Sequence, residues 1–345
     1  MKAIVKYALG KDGMGLMDVP EPVPAEGELK VRVIAAGICG SDIHSMLDER
    51  ETIMPVTLGH EYVGQVVETC GDVGDFKVGD NVVTLPACYS CGECEFCREG
   101  MITLCPERKS IGSHRNGAMA EYVVVPAKYS FKVPEDTDDV ISYALSEPFG
   151  CAVRGIYERI DVKPGDVAVV VGPGTIGQFA LQALKSRGAY VIVSGLPTDA
   201  NRLALAKEFG ADVVVDNFDD LQAEIKKVNK RGADIVVEAA GHPACMDIAL
   251  KVIRTKGTLL VLSFYGGVNV NMRFDYTHWK ELTVYGSNST AMSSWEIALK
   301  LIRDKKVNLS PLVGLKLPLS EWKRGFDAVI NKEAFKVVFC PELDK

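Results

Sequence analysis

No run of about 18 apolar residues occurs anywhere in the chain, so a membrane-spanning helix is not expected. Positive charge is in short supply. Lys and Arg number 39 against 46 Asp and Glu, a net charge of -7, which argues against a nucleic-acid partner or an anionic membrane surface. Internal repeats and a low-complexity tail are missing as well. Met1–Leu9 has neither the basic nor the apolar region of a signal peptide, so a cytoplasmic location is expected. Histidine is scarce, with five in 345 residues. Cysteine is not: there are ten, and in a reducing compartment clustered cysteines read as metal ligands rather than disulfides. The length and the 47% hydrophobic content suit a globular chain of about two domains.

Residues 1–150 read as strands closely punctuated by Gly and Pro. Leu29–Ala36, Gly64–Cys70 and Asn81–Leu85 are the clearest, and together they predict an antiparallel, barrel-like domain. The pattern changes over 151–290. Short apolar strands (Asp166–Val171, Ala189–Ser194, Asp212–Val215, Ile235–Ala239, Thr258–Ser263, Leu282–Gly286) alternate with helices, which predicts a doubly wound parallel sheet. Residues 291–345, with one good helix at Trp295–Asp304, are expected to return to the first domain.

Three motifs carry chemistry. Cys39, Ser41, His44, His60 and Glu61 lie in a polar, Gly-rich context and supply the thiolate, imidazole and carboxylate donors of an open catalytic zinc site. Cys91, Cys94, Cys97 and Cys105, within a lobe over 88–106, follow C-x2-C-x2-C-x7-C. Four thiolates at that spacing close around a second, structural zinc. Gly172-Pro173-Gly174-Thr175-Ile176-Gly177 follows an apolar strand and opens a helix, as a dinucleotide pyrophosphate requires. The next strand ends Ser194-Gly195 with no acid to bind a ribose 2′-hydroxyl, and Thr198 and Arg202 follow. That favours NADP over NAD, although Asp199 swinging in would restore an NAD site.

These stretches, with Gly117-Ala-Met-Ala-Glu121-Tyr122 and Ser146-Glu147-Pro148, resemble the zinc-dependent medium-chain alcohol and polyol dehydrogenases over essentially the whole chain. The likeness is closest to the sorbitol, galactitol-phosphate and threonine dehydrogenase branch. It implies a GroES-like barrel beside a Rossmann domain. It also implies an oxidoreductase that moves hydride between NAD(P) and a secondary alcohol of a polyol or sugar derivative. Cys39 and His60 become zinc ligands, with Glu61 a ligand or an exchangeable neighbour. Glu147 stands where simpler alcohol dehydrogenases place a second cysteine, and Cys151 is the alternative. Ser41 then takes the alcohol proton and His44 passes it to solvent. Ser45, Asn288 and Thr290 are candidate hydrogen-bonding partners for a polyhydroxylated substrate. A homodimer or homotetramer through Leu282–Gly286 follows by analogy. A zinc-free quinone or enoyl reductase and a non-catalytic zinc-stabilised binding module are the competing functions. Cys39 and His60 tell against the first, and the intact Ser41 and His44 against the second.

Overall fold

Alternation of buried and half-buried residues organises the barrel. In the strand Glu28–Gly37 every second side chain, from Leu29 through Val31 and Val33 to Ala35, is buried, as a sheet with one face on a core demands. This strand pairs antiparallel with Glu61–Cys70 along one edge. Its other edge is shared, Tyr122–Pro126 bonding residues 28–32 and Lys336–Phe339 bonding Ala36 and Gly37. With Asn81–Thr84, Ser130–Lys132 and Val313–Leu317 these make a seven-stranded sheet. The core beneath it is built from Leu29, Val31, Tyr62, Val66, Val123, Val337 and Phe339, among others. The register opposes Gly37 to Glu61. Three strand ends therefore meet at Gly37, Glu61 and Lys336, and the site grows from that junction.

The computed structural model describes residues 1–345 in two units. One holds Met1–Glu147, Thr290–Trp295 and Leu309–Lys345, and the other holds Pro148–Ser289 and Glu296–Asn308. The second unit is a six-stranded parallel sheet in the spatial order Val213–Val215, Tyr190–Ser194, Val167–Val171, Ala233–Glu238, Ile253–Val261, Thr283–Gly286. Val167–Val171 is buried at all five positions, as a parallel strand covered on both faces should be. The order reverses direction between Val167–Val171 and Ala233–Glu238, and such switch points are where α/β sheets bind nucleotides.

Within the C-terminal stretch one segment differs from expectation. Residues 296–308 belong with the second unit rather than returning to the first. The physical reason is Gln182, buried on the helix Thr175–Ser186. Its side chain donates to the Asn308 carbonyl at 3.2 Å and accepts the Asn308 N–H at 2.6 Å. No helix is long and apolar enough to cross a membrane.

Candidate active site

The ligand atoms of Cys39, His60 and Glu61 lie within 4.8 Å of one another. Cys39 sits at the start of the short helix Gly40–Met46, which also carries Ser41 and His44. His60 and Glu61 sit where the strand Glu61–Cys70 begins. Asp42 ties the two segments together. Its Oδ2 accepts the Cys39 N–H at 2.9 Å. Its Oδ1 lies 3.7 Å from His60 Nδ1 and is buried with no hydrogen-bond partner. The other ring nitrogen, His60 Nε2, is 3.5 Å from Ser41 Oγ. A carboxylate behind one imidazole nitrogen with the other left for a metal is a common zinc arrangement. The unsatisfied Oδ1 is the mark of a ring that metal binding would finish orienting.

The field in this pocket is strongly negative. Burial alone would favour a neutral His60, but Asp42, Cys39 and Glu147 outweigh it and raise the ring from 6.5 to about 10. Burial likewise pushes the Asp42 carboxyl up, with Glu61 adding to it. Anions gathered around an imidazole fit a divalent cation. Glu147 is buried on the helix Ser146–Val153, near enough for its charge to act on His60 and Lys336. It stands outside the three-residue group with mutual 4.8 Å distances.

Lys336, absent from the sequence reading, completes the site. Its side chain is 8% exposed and its Nζ meets Glu61 Oε2 at 2.5 Å and Oε1 at 2.6 Å, and donates to the Ile38 carbonyl at 2.9 Å. Burial would lower the lysine, but Glu61 and Cys39 hold it above its ordinary range. A lysine within the apolar run Phe335-Lys-Val-Val-Phe339 was the available signal, because a buried ammonium needs a buried acid.

The lobe carries its own test of metal fit. The four cysteine sulfurs also lie within 4.8 Å of one another. Cys91 Sγ is 3.8 Å from Cys97 Sγ and 3.6 Å from Cys105 Sγ. A tetrahedral Zn–S site has sulfur–sulfur edges of about 3.8 Å. Backbone N–H groups of Cys91 and Cys94 point at Cys105 Sγ and Cys91 Sγ, at 3.4 and 3.3 Å. Such contacts stabilise thiolates. Cys88 stays outside this group and donates instead to the Lys109 carbonyl.

In the second unit Gly172 has φ 101°, and a Cβ on Gly177 would lie 1.9 Å from the Gly172 carbonyl oxygen. Both positions of the turn therefore require glycine. A Cβ on Gly174 would meet only Arg202 Nη1, at 3.9 Å, so the guanidinium stands beside the open face of the turn. Ser194 is buried and its carbonyl accepts the Gly172 N–H at 2.9 Å. A side chain at Gly195 would press on Pro173 Cγ at 2.9 Å and Leu203 Cδ2 at 3.2 Å. Space as well as sequence excludes an acid there. Asp199 accepts the Leu196 N–H at 3.0 Å, and Thr198 is exposed. The buried Glu238 was also missed. It accepts from the Ala240 and Gly241 N–H groups, from Tyr265 Oη at 2.8 Å and from Ser263 Oγ. It thereby pins two turns at the carboxyl ends of the central strands.

Two expected substrate contacts are engaged elsewhere. Ser45 is buried and accepts from Thr52 Oγ1 at 3.0 Å, and Thr290 is buried and accepts from Trp295 Nε1 at 3.0 Å. The Asn288 carbonyl accepts from Arg154.

Known proteins are similar to this chain in sequence and fold. Residues 25–135 match the alcohol dehydrogenase GroES-like domain, and residues 175–304 match the zinc-binding dehydrogenase domain. D-arabitol-phosphate dehydrogenase from Enterococcus avium is 37% identical over 98% of this chain and 97% of its own length. Sorbitol dehydrogenase from Halalkalibacterium halodurans is 36% identical over 99% of both. A zinc-binding dehydrogenase from Sinorhizobium meliloti, solved with NADP bound, superposes with a TM-score of 0.88 at 30% identity and 99% coverage of each chain. With barrel, doubly wound sheet, cysteine lobe and mixed-donor cluster all in place, the chain belongs to the zinc-dependent medium-chain dehydrogenase family, in its polyol dehydrogenase branch.

Proposed function

We propose that this NAD(P)-dependent zinc alcohol dehydrogenase oxidises a secondary alcohol of a polyol or polyol phosphate, with NADP preferred. The observation that carries the reading is the Cys39–His60–Glu61 group in an anion-rich pocket, with Glu61 fully buried. Cys39, His60 and Glu147 are assigned as ligands of the catalytic zinc, with Glu61 as the exchangeable donor that Lys336 restrains. Cys91, Cys94, Cys97 and Cys105 hold a second, structural zinc. When bound, zinc supplies Lewis-acid stabilisation of the alcohol oxygen and the nicotinamide takes the hydride.

The chain's own residues manage the proton. Ser41 Oγ lies beside the ligand nitrogen of His60 and accepts the proton of the substrate hydroxyl while its own passes on. His44 is three residues further along the same helix, on the same face, and carries the proton toward solvent. Lys336 keeps a buried cation against Glu61, so that carboxylate does not compete for the metal throughout the cycle. The Gly172–Gly177 turn and its helix N-terminus receive the pyrophosphate. Arg202 beside Gly174 offers a charge-assisted contact to a 2′-phosphate. The open edge of Thr283–Gly286, where Val284 is 48% exposed, is assigned to a homodimer contact. A reducing, cytoplasmic setting keeps the lobe thiols available.

A panel of polyols, polyol phosphates, aldonic acids and L-threonine, assayed with NAD and NADP, tests the reading. The highest kcat/KM is expected for a polyol or its phosphate with NADP. Turnover of L-threonine alone, or turnover that survives zinc removal, would overturn it. Arg202→Gln should raise the KM for NADP about tenfold, the loss of one charged hydrogen bond, and leave that for NAD unchanged. Steady-state kinetics with both cofactors measures this.

A further inference from the structure

The helix Gly40–Met46 ends in an unusual turn. Asp48 has φ 60°, a left-handed conformation that glycine ordinarily takes at a helix C-terminus. Two bonds close the turn in the Schellman pattern: Glu49 N–H to the His44 carbonyl at 2.8 Å and Asp48 N–H to the Ser45 carbonyl at 3.3 Å. The strained aspartate is held from both sides. Its carboxylate accepts the Gly10 N–H at 2.5 Å and pairs with Lys6 Nζ at 2.8 Å. Lys6 is itself fully buried, and its ammonium also donates to the carbonyls of Gly10 at 2.9 Å and Met46 at 3.2 Å. A buried cation and a strained backbone both serve to fold this turn back, and strain of that kind collects where function needs a fixed geometry. What the turn delivers is Glu49, whose Oε2 lies 2.7 Å from His44 Nδ1.

We propose that Glu49 is the positioning residue of the proton relay, accepting the Nδ1 hydrogen of His44 and so leaving Nε2 as the nitrogen that takes the substrate's proton. The proposal rests on the relay role given to His44 above. A carboxylate accepts only, so in the neutral ring the hydrogen is on Nδ1 and the lone pair on Nε2. A proton arriving at Nε2 makes an imidazolium whose charge lies against the Glu49 carboxylate. One ring proton then leaves to water and the neutral ring is restored. The pair is placed for that exchange, its side chains being 25% and 45% exposed. Glu49 also lines a surface cavity of about 330 Å³ with Asp48, Arg50, Glu51 and Thr52. Asp48 is already engaged by Lys6, which leaves Glu49 as the carboxylate bonded to the ring.

Five histidines make the ring nitrogens tractable by long-range proton–nitrogen NMR on histidine-labelled, zinc-loaded protein. Wild-type His44 should be the Nδ1–H tautomer. Glu49→Gln should keep it, because an amide oxygen still accepts, and Glu49→Ala should lose it. Glu49→Ala should also lower kcat for alcohol oxidation about tenfold, part of what positioned proton transfer contributes. Zinc content and the KM for NADP should stay unchanged, and Glu49→Gln should recover part of the rate. An Nε2–H tautomer in the wild type, or an unchanged tautomer or kcat in Glu49→Ala, overturns the proposal. His44→Gln separates the two readings. If it lowers kcat while Glu49→Ala does not, the relay stands and the role of Glu49 falls. If it leaves kcat intact, the relay and this proposal fall together.

Discussion

The two metal-ligating clusters are built by opposite means. The lobe takes four identical donors from one short stretch, Cys91 to Cys105, with three of the four only half-buried. The mixed cluster gathers the half-buried Cys39 and His60 and the buried Glu61 from two segments. It needs Glu147 and Lys336 around it, the lysine 275 residues from its partner Glu61. A closed structural site fills all four positions around the metal with its own thiolates. An open site keeps a donor position for substrate, so its charges must be balanced by neighbours that the fold brings in.

The sharpest way to break this contrast is to remove one thiolate from each cluster. Cys39→Ser should lower kcat by about 10³-fold, since Lewis-acid catalysis supplies several kcal/mol and each 1.36 kcal/mol is tenfold. Metal analysis should still find the lobe zinc, and cofactor should still bind. Cys97→Ser should do the reverse, with lobe zinc lost, a melting temperature about 5 °C or more lower, and turnover of the remaining folded protein preserved. Equal effects from both would erase the distinction between the sites.

A smaller effect probes the balancing charge that the lobe lacks. Lys336→Met leaves the Glu61 carboxylate buried and unpaired, which should cost about 3–5 kcal/mol of stability. Glu61→Gln in the same chain should restore most of it. Denaturant titration of the single and double variants measures both. A loss under about 1 kcal/mol, the range of surface pairs, would show that the pair is not what balances the pocket.

The smallest effect is a pH slope. In metal-stripped protein His60 is raised from 6.5 to about 10. Its contribution to stability is complete below about 6.5, where folded and unfolded chains both bind the proton. It is lost as pH rises through about 10, the folded value. Melting temperature of stripped protein should therefore fall by a few degrees over that window. The zinc-loaded protein should lack this slope, because a ligating imidazole is neutral at the metal. Identical pH profiles for the two forms would remove His60 from the ligand set.

Legibility in the sequence followed locality. The lobe, the Gly172–Gly177 turn and the Cys39, His60 and Glu61 positions are short motifs with short-range causes, and the structure brings the ligand atoms of each cluster together. Strand alternation such as Leu29–Val31–Val33 was readable because the side-chain period is two. What escaped notice depended on partners, distant or near, that only the folded backbone brings into contact. Lys336 reads as an ordinary strand charge until its strand lies beside Glu61. Gln182 gives no sign that it will capture Asn308 and draw residues 296–308 into the second unit. Ser45 and Thr290 look like free hydroxyls until Thr52 and Trp295 are seen to occupy them. Asp48 in a glycine position is invisible without its backbone angle.

The sequence alone determined the donor chemistry and the cofactor turn: sulfur, imidazole and carboxylate in the right order, glycines where a phosphate must approach, and no acid after the second strand. Tertiary structure alone decided which charges face one another. A buried charge is stable only beside its counterpart, and the identity of that counterpart is a property of strand register and packing rather than of neighbouring residues.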